Sequence, residues 1–140
     1  MSCNCAVYTY TVTTTETTKA RGYKGEAIAA EYLTKKGYEI VEKNFTVRGG
    51  EIDLIADDHG TLVFVEVKTR TGDSFGYGDE SLTATKKRRI KSTIARYLND
   101  TMKSDDIDCR VDLVEIEIPR NGADGDAGHS HITHSEDIEL

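Results

Sequence analysis

Hydrophobic positions along this chain follow two periods, one typical of helices and one typical of strands. Ala27, Ala30 and Leu33 recur at helical spacing before Gly37, which predicts a helix that ends at a glycine C-cap. Further on, apolar residues alternate with polar ones, which predicts half-buried strands. The predicted elements are, in chain order, a helix over 18–36, strands over 38–47, 51–56 and 62–69, a helix over 81–99 and a strand over 110–118. This order predicts an α/β or α+β domain.

The two ends of the chain lie outside this series. Residues 7–12 alternate valine or tyrosine with threonine, so residues 1–17 are expected to form either a loose arm or an added edge strand. The domain proper is expected over residues 18–119. Residues 120–140 are rich in Gly, Asp, Ser and His, so we expect a disordered tail. The alternative is a transition metal bound by the histidines of this tail, His129, His131 and His134.

Charged residues stand among apolar ones on two neighbouring predicted strands. Side chains alternate across a strand, so Glu66 and Lys68 lie on one face of their strand. The link over residues 57–60 is typical of a tight hairpin, and folding about its middle would place Glu51 across from Glu66 with Asp53 diagonal to it. Three carboxylates and one ammonium group are therefore expected to converge.

Such a cluster destabilises a fold, because like charges repel across a ladder and buried carboxylates resist ionisation. A divalent cation would remove that cost. Carboxylate oxygens suit Mg²⁺ or Mn²⁺, ions that polarise phosphates and lower the pKa of bound water. Lys68 would then orient or deprotonate that water. The alternative for an isolated E-x-K pattern is an ordinary amphipathic hairpin whose charged face meets solvent.

Length and composition favour one soluble domain. The chain has 140 residues, of which 37% are hydrophobic and 31% charged, which suffices for a buried core. No apolar stretch approaches the roughly 20 residues that span a bilayer, and the threonine-rich N-terminus lacks the pattern of a secretory signal. We therefore expect a cytoplasmic protein without a membrane partner. The cysteines form no paired metal or disulfide pattern and are expected to be free thiols: Cys3, Cys5 and Cys109.

The net charge of −7 is unevenly distributed along the chain. Residues 1–96 carry 15 Lys and Arg against 13 Asp and Glu, whereas residues 97–140 carry 3 against 12. Within the first part, a basic run on the second predicted helix provides a field that attracts phosphates. The basic run consists of Lys86, Lys87, Arg88, Arg89, Lys91 and Arg96. We expect this surface to bind nucleic acid.

Several short motifs occur together in the first two thirds of the chain. They are Gly25-Glu26 with Ala27, Ala30, Tyr32 and Leu33, then Gly37-Tyr38, Asn44, Gly50-Glu51-Ile52-Asp53-Leu54-Ile55, Phe64-Val65-Glu66-Val67-Lys68 and Arg70. With these motifs, residues 22–98 resemble the YraN-like proteins, a branch of the PD-(D/E)XK, or restriction-endonuclease-like, superfamily. One departure is that Ile52 stands before Asp53, where the superfamily pattern begins with proline.

The resemblance implies a restriction-endonuclease-like core, an α/β fold whose mixed sheet is flanked by helices in the order helix, three strands, helix, strand. It also implies a nuclease that hydrolyses phosphodiester bonds with one or two Mg²⁺ or Mn²⁺ ions. The implied site residues are Asp53, Glu66 and the carbonyl of Val67 as metal ligands, Lys68 as the catalytic lysine, and Glu26 as a helix glutamate that binds metal directly or through water. Arg70 and the basic run would hold flanking phosphates. Three roles are open for Glu51: it tunes Asp53, it binds metal, or it caps the start of the strand.

Two other classes of function remain open at this level. The domain could bind nucleic acid through the basic run without cutting it. It could instead be a structural or protein-binding domain, whose acidic tail engages a basic partner or shields the basic run.

The glycine-rich loop over 71–79, with Phe75 and Tyr77, either contacts substrate or only connects two elements. Because resolvase-like relatives act as two-fold dimers, a homodimer is among the expected states.

Overall fold

The computed structural model describes residues 3–8, 18–71, 82–102, 106–118 and 130–140. Its elements are, in chain order, β1 (Cys3–Tyr8), α1 (Thr18–Lys35), β2 (Glu39–Val47), β3 (Gly50–Asp58), β4 (Thr61–Thr71), α2 (Ala84–Tyr97), β5 (Cys109–Ile118) and β6 (Ser130–Ser135). A π-helical turn over Leu98–Met102 follows α2. The predicted order of helix, three strands, helix and strand is confirmed from α1 to β5.

Within the described residues the strands form one six-stranded sheet, in the order β1-β6-β5-β4-β3-β2. The strands β4 and β5 are parallel, because α2 carries the chain back between them. The other neighbouring pairs are antiparallel. The sheet is therefore mixed, as the resemblance implied.

The two helices cover opposite faces of this sheet. Leu33 of α1 packs in a buried cluster with Val63 and Val65 of β4. Ile90 of α2 packs in a second cluster that contains Phe64. Because successive side chains of a strand point to opposite faces, the two clusters form two separate core layers, one under each helix.

The turn between β3 and β4 corrects the predicted strand register. His59 and Gly60 have φ of 52° and 95°, the left-handed values of a two-residue hairpin turn. Asp58 therefore pairs with Thr61, and the ladder continues with that register to the pair of Leu54 and Val65. One residue further, the same register places Asp53 across from Glu66. The prediction that Glu51 faces Glu66 was wrong, because the turn is centred one residue later than expected.

The C-terminal segment is ordered where the structure describes it, so the prediction of a disordered tail over 120–140 is wrong for residues 130–140. Ser130, Ile132 and His134 are buried in alternation along β6. This period of two fits a strand, and β6 pairs with β5 on one side and β1 on the other. β1 is thus an edge strand. His129 and the rest of the stretch 119–129 lie outside the described residues.

A buried polar network anchors this segment to the sheet. His134 Nε2 donates to Asp112 Oδ2 at 2.9 Å, and Lys36 Nζ donates to His134 Nδ1 at 3.0 Å. Arg110 donates to Asp112 from Nε at 3.0 Å, and the backbone N–H of Asp137 donates at 3.0 Å. Both nitrogens of His134 are engaged, so its role is structural, and the predicted alternative of a metal held by this histidine gains no support.

The second helix begins later than the predicted residue 81. Thr83 is its N-cap, and the Thr83 side chain accepts from the backbone N–H of Lys86 at 3.2 Å. The glycine-rich loop with Phe75 and Tyr77 lies outside the described residues, apart from its first residue. No helix in the described ranges is long and apolar enough to cross a membrane.

Candidate functional site

The regular geometry of β3 breaks at Asp53. Leu54 packs in the cluster under α1, whereas Ile52, two residues earlier, packs in the cluster under α2. Residues two apart on a regular strand share a face, so the strand changes its orientation between them. At this break Asp53 Oδ2 accepts a hydrogen bond from the backbone N–H of Val67 at 2.8 Å. The bond ties the Asp53 carboxylate to β4, beside Glu66.

Glu66 is a buried acid, with 8% of its surface exposed. Desolvation, followed by the negative charge of Asp53, raises the pKa of Glu66 from 4.5 to about 7. Lys86 of α2 opposes this shift through an ion pair, with its Nζ 2.8 Å from Glu66 Oε1. Glu66 thus carries a charge that its surroundings only partly stabilise.

Asp53 and Glu26 belong to the same electrostatic cluster. Burial raises the pKa of Asp53, although the hydrogen bond from Val67 and the charge of Lys86 act against it. Burial also raises the pKa of Glu26 on α1, with the charge of Asp53 as the next cause. The structure therefore brings both Glu26 and Glu66 into electrostatic range of Asp53.

Two glycines of the sequence motifs let the helices approach the sheet at this place. A Cβ at Gly25 would overlap Thr69 Oγ1, so α1 lies against β4 at the end that carries the cluster. A Cβ at Gly50 would overlap Thr93 Oγ1 and lie 3.3 Å from the carbonyl oxygen of Arg89, so α2 lies against the start of β3. The absence of side chains at Gly25 and Gly50 therefore positions Glu26 from one helix and Lys86 from the other.

A cleft of about 450 Å³ opens beside the carboxylates, between the β2–β3 turn and the first turns of α2. Lys86 and Arg89 line it from the helix, and Glu51 lines it from β3. Glu51 is exposed, and its charge is the smallest of the named influences on the pKa of Glu66. Lys86 thus lies between the cleft and the carboxylates.

The remaining predicted residues lie around this centre. Lys68 is partly buried on β4, two residues beyond Glu66, and is paired in register with Glu115 of β5. Arg70 Nη2 lies 3.9 Å from Glu115 Oε1, so its ion pair points toward β5. Among the other predicted cations of α2, three are exposed and one is partly buried. The exposed ones are Arg88, Arg89 and Lys91, and the partly buried one is Lys87.

Among the described residues, no three His, Cys, Asp or Glu side chains converge as closely as the ligands of a bound metal. Asp53 is held by the Val67 backbone, and Glu66 by Lys86. The donor chemistry nevertheless fits a hard divalent cation, because Glu66 is buried, Asp53 is partly buried, and added positive charge stabilises two adjacent carboxylates with raised pKa values. An ion at this pair would require Glu66 and Lys86 to rearrange.

Sequence reasoning missed two residues of the cluster. Lys86 was assigned only to the phosphate-binding surface, yet it pairs with Glu66. Asn44 was noted only as part of a motif, yet its side chain is hydrogen-bonded to Glu26, where it lowers the pKa of that acid. Asn44 has φ of 53°, a left-handed conformation that asparagine tolerates better than most residues. The sequence signal for the role of Asn44 was an asparagine in the middle of a predicted strand, where asparagine is uncommon.

These features define an α/β protein with an acidic cluster where the regular geometry of β3 breaks beside β4, and with a basic helix next to that cluster. The chain belongs to the uncharacterised protein family UPF0102, whose family model matches residues 25–116. This finding confirms the resemblance to YraN-like proteins.

Relatives in this family match most of the chain. A UPF0102 protein of Symbiobacterium thermophilum is 50% identical over 96 residues, which cover 69% of this chain and 80% of the relative. A UPF0102 protein of Dechloromonas aromatica is 47% identical over 102 residues, which cover 73% and 82%. A third, from Caldicellulosiruptor saccharolyticus, is 45% identical over 95 residues, which cover 68% and 80%.

Proposed function

We propose that this chain is a metal-dependent nuclease with a PD-(D/E)XK, restriction-endonuclease-like core, and that it hydrolyses phosphodiester bonds in nucleic acid, with DNA as the favoured substrate. The observation that carries the proposal is the pair of adjacent carboxylates, Asp53 and Glu66, held desolvated with raised pKa values where β3 leaves β4. Groups with such perturbed pKa values are typical of functional sites. The helix, three strands, helix, strand order supports the assignment of the core.

Asp53 and Glu66 would hold a Mg²⁺ or Mn²⁺ ion, which when bound supplies positive charge that polarises a phosphate and acidifies water. The backbone of Val67 lies against Asp53, which supports its carbonyl as a further oxygen ligand. Glu26 would complete the site directly or through water, since its raised pKa reflects the charge of Asp53. Glu51 would tune these carboxylates through its charge.

Lys68 would act on the attacking water. Its Nζ would orient the water or accept its proton, in keeping with its place on β4 two residues after Glu66. Arg70 and the exposed cations of α2 would hold phosphates on either side of the cut. The cleft lined by Lys86 and Arg89 supports this arrangement, because it carries two cations and one of them, Lys86, contacts Glu66.

The direct test is cleavage of single-stranded, duplex, flap and four-way-junction DNA by purified protein, with Mg²⁺, Mn²⁺ or EDTA. We expect a metal-dependent product that Asp53→Asn and Lys68→Ala each reduce by at least about 100-fold, the scale of a lost catalytic group. Lys43→Ala, which removes an exposed lysine of β2, is the control and should cut normally. If no metal-dependent product forms, or if both site variants retain it, the nuclease proposal is wrong.

The second candidate is a nucleic-acid-binding module that keeps the fold without cutting. The ion pair between Lys86 and Glu66 favours it, because an internal cation already serves one of the two carboxylates. Such a protein would bind DNA with an affinity that falls steeply with salt, and reversing the charges of Arg88 and Arg89 would weaken that binding. DNA binding without cleavage in any metal would favour this candidate.

A further inference from the structure

The ammonium group of Lys86 lies where the charge of a bound metal would act. Its Nζ is 2.8 Å from Glu66 Oε1, and the side chains are 35% and 10% exposed, respectively. Burial lowers the pKa of Lys86, but the hydrogen bond and charge of Glu66, together with the charges of Asp53 and Glu51, outweigh it and raise the pKa overall. A single lysine therefore balances part of the charge of three acids.

The position of Lys86 on α2 is unfavourable for a lysine apart from this pairing. It donates its backbone N–H to the N-cap Thr83, so it lies in the first turn of the helix. The helix dipole makes this end positive and disfavours a cation there, and the turn contains no acid of its own. The carboxylates of the sheet are thus the groups that hold Lys86 in place.

The ammonium group of Lys86 also has an alternative position, in the cleft. It lines the cleft together with Arg89, and about a third of its side chain is already in contact with solvent. A lysine side chain has four rotatable carbon bonds and can therefore move its ammonium group without moving the helix. A phosphate at the first turn of α2 would meet this ammonium group and the positive end of the helix together.

We propose that Lys86 is an internal counter-ion that neutralises Asp53 and Glu66 before metal binds, is displaced by the divalent cation, and then contacts a substrate phosphate in the cleft. This inference rests on the proposed function, because it requires a metal at the two carboxylates. Displacement follows from electrostatics, since an ammonium group and a divalent cation at one carboxylate repel each other in a partly buried site. Metal binding and phosphate binding then become coupled through one side chain.

The test is the affinity for Mn²⁺, measured by electron paramagnetic resonance or calorimetry without nucleic acid. Lys86→Met removes the competing charge and keeps much of the apolar stem, so we expect it to bind Mn²⁺ about tenfold more tightly than the wild type, or about 1.4 kcal/mol. Lys86→Arg keeps the charge and should bind like the wild type. Arg89→Gln removes a cation from the same cleft without touching the ion pair, and should change the affinity by less than about threefold.

The outcomes separate this inference from the proposed function. If the wild type binds Mn²⁺ and Lys86→Met binds it equally or more weakly, the counter-ion role is wrong while the metal centre stands. If Arg89→Gln tightens binding as much as Lys86→Met, general surface charge explains the gain and the specific role of Lys86 is wrong. If none of the folded variants binds Mn²⁺, the metal centre itself is wrong. Circular dichroism establishes that each variant is folded. If Lys86→Met is not folded, Lys86→Gln takes its place with the same expected gain, because it also removes the competing charge.

Discussion

Replacing Glu66 by glutamine is expected to stabilise the metal-free protein at pH 8 and to leave its stability at pH 4 nearly unchanged. Desolvation raises the pKa of Glu66 from 4.5 to about 7. Between these values the folded protein keeps a proton that the unfolded chain loses, so the free energy of unfolding falls as pH rises through this range. Above pH 7 the accumulated cost is roughly 3 kcal/mol, at 1.36 kcal/mol per pKa unit.

Glutamine removes this cost because it has the shape of the acid and no charge. Lys86 loses its partner, but its side chain is 35% exposed and can reach water, so the variant should retain most of the gain. At pH 4 the wild-type acid is protonated in both states, and the amide then differs little from it. We expect a stabilisation on the order of 2 kcal/mol at pH 8.

The assay is urea unfolding at pH 4, 6 and 8 in EDTA. Glu39→Gln, at the exposed start of β2, is the matched control and should differ from the wild type by less than about 0.5 kcal/mol at each pH. A difference between Glu66→Gln and the wild type that is the same at all three pH values would refute the reasoning. So would a loss of stability at pH 8, because the buried charge would then be stabilising.

Three further predictions concern other parts of the molecule. Asp112→Ala should lower the free energy of unfolding in urea by about 3–5 kcal/mol, because it leaves the partners of a fully buried carboxylate unpaired. A loss below about 1 kcal/mol would contradict this. Gly50→Ala should destabilise by about 2 kcal/mol through overlap with Thr93, and Thr93→Ala should restore most of the loss in a double-mutant cycle. Arg88→Glu with Arg89→Glu should weaken DNA binding and flatten its salt dependence, whereas unchanged binding would exclude this surface.

Local patterns in the sequence were sufficient for the main elements of the fold. The alternation in 62–67 predicted which residues of β4 share a face, because a strand has only two faces, and the two clusters confirm it. The pairing of β3 with β4 was not predictable to the residue, because it depends on His59 adopting a left-handed conformation that is uncommon for histidine. A turn centred one residue later shifted the register, so that its continuation beyond Leu54 and Val65 sets Asp53, and not Glu51, opposite Glu66.

The missed features arise from long-range contacts. Composition favoured disorder for the C-terminal segment, yet Ser130, Ile132 and His134 alternate inward, and the strand forms because β5 offers an open edge and a buried partner for the histidine. Likewise the basic run gave no sign that one of its lysines turns inward. That depends on how α2 packs on the sheet: Ile90 is buried there, and Lys86, four residues earlier, shares its face and reaches Glu66.

The two buried acids of the sheet differ in a way that separates structural from functional charge. Burial opposes ionisation of Asp112, but hydrogen bonds from His134 and Arg110 outweigh it and lower its pKa. Glu66 is also buried, yet desolvation dominates and its pKa is raised. A carboxylate whose hydrogen bonds and ion pairs outweigh the desolvation cost of burial stabilises the fold without a ligand. A carboxylate whose partners do not outweigh that cost destabilises the fold unless a cation binds. The network around Asp112, which anchors β6, would thus offset the instability that Glu66 introduces on the neighbouring strand β4. Relief of that instability would favour binding of the proposed metal ion.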